Sequence, residues 1–326
     1  MEKKKQHLVP NCYLKAWCDP TTPDGQEPYI WVHPAEGTEP KCKSPRKSFT
    51  ETDRYTIESP NGDRNLRVED TLADIETTFV GIRERLEGAH QISAEDHYLL
   101  CAFVATMSSR TKPAGDNWAK TWEKVRSKSD RLAQAHGATL DSPQLDDAVR
   151  NAYAHIVDAT VKVLTPMLFH MRAGIYYAEN RGAFITSDNP CVWSDPDSFK
   201  RPPAHRSPAL CYPNIKILLP LSPNSLLLFG HDRRYAGYFR ADEQFIDEVN
   251  RLTRFFSHEY FVTRDGRTKK VWFEQRDLPA DAWENTEEGK ISMARAEQYK
   301  KMHEQYEVAK RAGDRGTGSD GRSLQN

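Results

Sequence analysis

No run in the chain approaches the eighteen or so consecutive apolar residues that a membrane-crossing helix needs, and the N-terminal lysines are followed by no apolar segment. Neither a membrane span nor a signal peptide is expected, and the cytoplasm is the default location. Cysteine is sparse and scattered: Cys12, Cys18, Cys42, Cys101, Cys191 and Cys211 include no C-x-x-C pair, which points to reduced thiols rather than a disulfide frame. An excess of charge of one sign is also missing. The formal net charge of −1 removes the overall electrostatic footprint of a nucleic-acid-binding protein and leaves only a local basic groove for that role. No P-loop, G-x-S-x-G, H-E-x-x-H or dinucleotide-binding glycine pattern occurs, so the chemistries those spacings serve are not signalled.

What is present describes a globular chain. With 38% hydrophobic and 29% charged residues over 326 positions, the chain can bury a substantial core under a polar surface. Residues 1–65 are rich in turn chemistry, with a strand at "YIWVH" (29–33), a turn at "PAEGTEP" and a return strand within 41–48. From Leu66 the period becomes helical. Val68, Leu72, Ile75, Phe79, Ile82 and Leu86 fall on one face at about 100° per residue. A second helix is predicted from "SAED" (93–96), with Ser93 and Asp96 as a capping box, to near Lys112, where Pro113 and Gly115 follow. Residues 116–136 and 144–171 read as two further helices, with Pro166 a kink or boundary in the second.

Beyond Gly174 the runs "IYYAE", "AFITS", "IKILLPL" and "SLLLFGH" read as strands, and 241–257 as an amphipathic helix. "YFVTR" and "KVWFEQ" about "DGRTK" suggest a hairpin, 289–312 a charged helix and 313–326 a disordered tail. Without regular β-α-β alternation the pattern is α+β. The expected architecture is one domain over 1–312: an N-terminal hairpin segment, a central helical bundle (66–172), a mostly antiparallel sheet with helices (173–288) and the terminal helix.

Two segments concentrate the chemistry. In "KKKQHLVPNCYLKAW" (3–17), Pro10 or Asn11 opens a short helix anchored by Tyr13, Leu14 and Trp17. His7 precedes that N-terminus, where the positive end of the dipole favours neutral imidazole, the form that acts as base or metal ligand. Zinc on His7, Cys12, Cys18, His33 and Cys42 is not expected. The spacings match no finger, and Cys12 and Cys18 would point about 120° apart on a helix. In "FITSDNP" (184–190), Pro190 keeps Asn189 out of the α region, and Asp188 or Asn189 can close an Asx-turn. The alternative is that Asp188 is held at a strand end as a base or metal ligand. Arg110 projects within the apolar arc of Leu99, Phe103 and Met107, so its head is expected against protein or ligand. Glu76 offers a second carboxylate.

These segments, together with "YIWVH", "SPRKSFTETDRYTI", "RVEDTLADIE", "SSRTKP", "PLSPNSLLLF" and "VNRLT", resemble the domain of unknown function 4238 family over nearly the whole chain except the tail. Leu8 stands where that family usually has tyrosine. The resemblance implies a protein of unsettled biochemistry and draws attention to His7, Pro10, Tyr13, Arg110, Ser187, Asp188, Asn189 and Pro190, without assigning them a reaction. Two functions are therefore expected as alternatives. One is a ligand- or partner-recognition protein with a polar cleft built from the HLVP and SDNP segments, with Tyr13, Glu76, Ser187 and Asn189 as binding residues. The other is a metal-assisted hydrolase of a phosphate-containing substrate, a nuclease being one version, in which His7 and Asp188 hold a divalent metal or activate water and Arg110 neutralises an anionic oxygen.

Overall fold

The structure is a computed structural model and describes residues 5–88, 91–179, 184–277 and 279–316. It is α+β, 50% helical with 17% strand. In chain order the first elements are β1 (Lys5–His7), α1 (Asn11–Leu14), β2 (Ile30–Pro34), β3 (Lys41–Lys43), β4 (Thr50–Thr52), β5 (Ile57–Glu58) and β6 (Arg64–Asn65). The helices α2 (Arg67–Glu87), α3 (Ala94–Ser109), α4 (Lys112–Ala135), α5 (Pro143–Arg150) and α6 (Ala152–Phe169) follow. Then come β7 (Arg172–Tyr177), β8 (Thr186–Ser187), β9 (Val192–Ser194), β10 (Lys216–Ser222), β11 (Ser225–Gly230), β12 (Gly237–Arg240), α7 (Glu243–Phe255), β13 (Tyr260–Thr263) and α8 (Glu287–Gly316). Among the described residues no helix is long and apolar enough to cross a membrane, and all six cysteines are free thiols.

The chain divides into two compact units, one of Met1–Ser194 with Leu210–Gln275 and one of Asp195–Ala209 with Arg276–Asn326. In the larger unit β12-β7-β11-β10-β9 form one sheet, antiparallel except for the β12/β7 pair, and β3-β2-β13-β8 form an antiparallel second. The core is aromatic at its centre: Tyr13, Trp17, Phe79 and Phe103 are all at most 1% exposed. Phe79 stacks on Phe103 with ring centroids 3.7 Å apart. The α2 stripe lies where its period places it, with Val68, Leu72, Phe79, Ile82 and Leu86 buried and Ile75 partly so. The next helix, α3, is apolar nearly all round and packs between α2 and α6. In the smaller unit Arg206 pairs with Glu284 at 2.6 Å, Arg201 pairs with Asp195, and Gly289 passes so near Trp283 that a Cβ there would lie 2.0 Å from the Trp283 carbonyl oxygen.

Four boundaries differ from expectation. The Ser93–Asp96 capping box opens α3 as predicted, but the helix stops at Ser109, and Pro113 lies in the first turn of α4 behind the N-cap Thr111. Proline is tolerated there because its missing N–H would have had no partner in the helix. The helix predicted over 144–171 is broken at Asn151, whose side chain accepts from Glu58 N at 2.8 Å and donates to Glu58 O at 2.9 Å. The strand predicted at "KVWFEQ" is instead a 3₁₀ turn, Lys270–Phe273, whose Trp272 donates to Asp247 at 3.0 Å, and β13 takes β2 and β8 as partners. Finally α8 runs through Gly316, and positions 317–326 of the expected disordered tail lie outside the described residues.

His33 shows what the second sheet demands of a polar side chain. It is 1% exposed, its ring stacks on Phe261 at 4.7 Å and its Nε2 shares a hydrogen bond with Thr263 Oγ1 at 3.0 Å. Burial pushes its pKa down from 6.5 to about 4. The fold therefore holds the neutral ring, and the stabilisation is complete above pH 6.5 and lost as pH falls towards 4. At ~1.4 kcal/mol per unit, the His33 share of that acid loss is about 3 kcal/mol. Urea midpoints between pH 7 and 4 check it: the slope in this window is expected to flatten in His33→Gln, and an unchanged slope would assign the loss elsewhere.

Candidate functional site

The polar start of the chain is tied down by main-chain pairing before any side chain acts. β1 runs antiparallel to β4, with His7 opposite Thr50, and Leu8 N donates to Phe49 O at 2.7 Å. Gln6, which the sequence reading passed over, is 2% exposed and donates to both Thr56 Oγ1 (3.0 Å) and Glu69 Oε2 (2.9 Å) while accepting from Tyr55 N. A glutamine beside a conspicuous histidine gives no sequence signal of such a role.

His7, Arg110 and Glu76 form one assembly. Arg110, just past the end of α3, is 4% exposed; Nη1 donates to Glu76 Oε1 at 2.6 Å and Nη2 donates to the backbone carbonyl of His7. Its guanidinium also lies 5.5 Å from the centre of the Tyr55 ring, and its Nε has no partner among the described residues. Arginine is suited to this position because its planar head serves two acceptors at once. The His7 ring points elsewhere and donates from Nε2 to Arg46 O at 3.1 Å; burial lowers its pKa, so the ring is neutral at pH 7.

Asp188 belongs to a different assembly. Its Oδ1 accepts from His258 N at 2.8 Å, and Oδ2 accepts from Glu259 N at 2.7 Å and Tyr260 N at 3.0 Å. Burial raises its pKa against the pull of those three donors. The turn after β8 is closed by Ser187, whose Oγ accepts from Asn189 N at 3.1 Å, while Asn189 donates to Phe256 O at 2.9 Å. His7 and Asp188 are thus engaged with different backbone segments. Among the described residues no group of three or more His, Cys, Asp or Glu is placed to hold a metal ion.

The two signature segments do meet, through Tyr13 and Trp17. The fully buried Tyr13 hydroxyl lies 2.7 Å from both Thr186 Oγ1 and Pro220 O, and Trp17 Nε1 donates to Phe184 O at 3.1 Å. Burial drives the Tyr13 pKa far above the ordinary phenol value, so the hydroxyl stays protonated.

Beside this junction lies a cleft of about 250 Å³, to which HLVP contributes Leu8 and SDNP contributes Asp188. Its walls include Phe49 and Tyr260, and Lys43, Lys47 and Lys112 also line it; His7, Arg110, Glu76 and Tyr13 do not. Phe49 has φ of +52°, unusual for an aromatic residue, a conformation costing about 1–3 kcal/mol that must be held by its surroundings. The Leu8 hydrogen bond is one such restraint. The lysines were visible in the sequence as "KCKSPRK" (41–47), a run of positive charge without an acid; that Lys112 joins them was not.

A family model described as a protein of unknown function (DUF4238) matches residues 5–267. No curated protein and no solved structure matches.

Proposed function

Because the chain belongs to the DUF4238 family, which brings no activity with it, its function must be read from its own site, and we propose that it is a recognition protein whose ligand occupies the cleft between Leu8 and Asp188. The observation that carries this reading is the division of labour around that cleft. Asp188, which lines it, and its chain neighbours Ser187 and Asn189 bond through their side chains to the backbone. Among the side chains that line the cleft without a hydrogen bond are three lysines, the His258 imidazole and the rings of Phe49 and Tyr260. That is how a preformed pocket is built: a saturated frame and a small set of outward groups. The hydrolase alternative has less support, since His7 and Asp188 are committed to separate backbone partners.

A thermal-shift screen of neutral, cationic and anionic small molecules tests the reading. At a ligand concentration one hundred times Kd, binding to the folded state alone contributes about 2.7 kcal/mol. The expected result is a stabilising compound whose effect is lost in Tyr260→Ala with Lys47→Gln, while the variant still melts cooperatively. Stabilisation by none of the three classes would sink it.

A further inference from the structure

We infer that the ligand of this cleft is an organic anion carrying a flat ring, its charged head at Lys43, Lys47 and Lys112 and its ring against Phe49 and Tyr260; this rests on the recognition reading above. The charge argument begins with what each carboxylate at the cleft is already doing. Asp188 is saturated by three backbone N–H groups, and Glu51 pairs with Arg54 at 3.0 Å. Glu259 is 3.9 Å from Lys112, with both side chains more than half exposed, a loose pair in water. Lys43 and Lys47 face no carboxylate within ion-pair distance among the described residues.

The backbone adds to the same potential. Lys112 and Pro113 are the first two residues of α4, a 24-residue helix, so the positive end of its dipole opens at the cleft. A lysine at that end opposes the dipole, and it stands near two more lysines. An anion at the cleft would relieve the opposition between the Lys112 ammonium and the helix end.

The body of the ligand is set by the walls. Phe49 and Tyr260 stand with ring centroids 6.4 Å apart and tilted by 53°, and the Lys43 ammonium sits 5.2 Å from the Tyr260 ring. One cation and two rings are thus presented side by side, with Phe49 held in a strained backbone conformation to complete the set. The volume, about 250 Å³, holds roughly eight waters at ~30 Å³ each, enough for one ring and its head group.

Calorimetric titration with adenosine 5′-monophosphate, benzoate, inorganic phosphate and adenosine tests this, using wild type and the Lys47→Gln, Lys112→Gln double variant. The expected result is that one of the two ring-bearing anions binds at least tenfold more tightly than phosphate and adenosine, and that the double variant loses at least tenfold of it. Which anion binds distinguishes a phosphate from a carboxylate head. The melting temperature of the ligand-free variant should match or exceed wild type, because the removed charges oppose each other and the helix. Adenosine binding as tightly as the anions, phosphate binding as tightly as either, or a variant with unchanged affinity would each overturn the inference. A neutral or cationic compound from the screen above binding here while all anions fail would overturn it and leave the recognition reading standing. Absence of binding by every class would remove both.

Discussion

Arg110→Ala is expected to cost about 3–5 kcal/mol of stability, the range for removing one partner of a buried ion pair. The loss is large because the arginine serves several neighbours at once. Glu76, with its side chain only 21% exposed, would keep a charge and lose its counterion, and the His7 carbonyl would lose a charged donor where β1 ends. The Tyr55 ring would face a void as well. Arg110→Lys should recover only part, since an ammonium cannot span Glu76 and the His7 carbonyl with the same fixed fork. Urea unfolding of the three proteins decides the matter. A stable, cooperatively folded Arg110→Ala that had lost a measurable activity would restore the expectation that Arg110 acts on an anionic substrate oxygen.

Asp188→Ala is expected to cost about 2–4 kcal/mol, because three N–H groups lose a charged acceptor together. The cost stays below the sum of three separate bonds, since His258 and Glu259 are exposed and water can reach their amides. Asp188→Asn should lie between, keeping one acceptor while turning an NH₂ group towards backbone donors. The folded Asp188→Ala protein should also open the 258–260 backbone, which hydrogen exchange at those three amides would register as faster exchange. Wild-type stability with unchanged protection would mean that the carboxylate is not the fastener of this turn.

The fold was legible where period and chemistry were local. The α2 stripe, the Ser93–Asp96 capping box and the YIWVH strand could be read because each is decided by residues within a turn or two of one another. The errors fall where a distant partner decides. Asn151 breaks a helix because β5 takes its amide, and "KVWFEQ" turns aside because Trp272 finds Asp247 on α7. The candidate site followed the same rule. Arg110 pairs with Glu76, the second carboxylate that the sequence offered, and the segments 3–17 and 184–190 meet. What joins them is the hydroxyl of Tyr13 and the indole of Trp17 rather than His7, because buried polar atoms on large rings must find partners wherever the core places them. Lys112 was missed because only the end of one helix and the start of the next, three residues apart, aims it at the cleft.

The Tyr13 hydroxyl has a consequence for how the protein is made. Its two partners lie 173 and 207 residues further along the chain, so the ring cannot reach its buried position until translation has passed Pro220. At ~5–20 residues per second, that leaves the aromatic opening segment waiting about 10–40 s on the ribosome. During that time Tyr13, Leu14 and Trp17 have only the early helices to lean on. Nascent chains stalled before residue 220 should therefore recruit chaperones through the Tyr13–Trp17 segment, and the residues that follow should close over it in a late step, in keeping with the slow folding of long-range contacts.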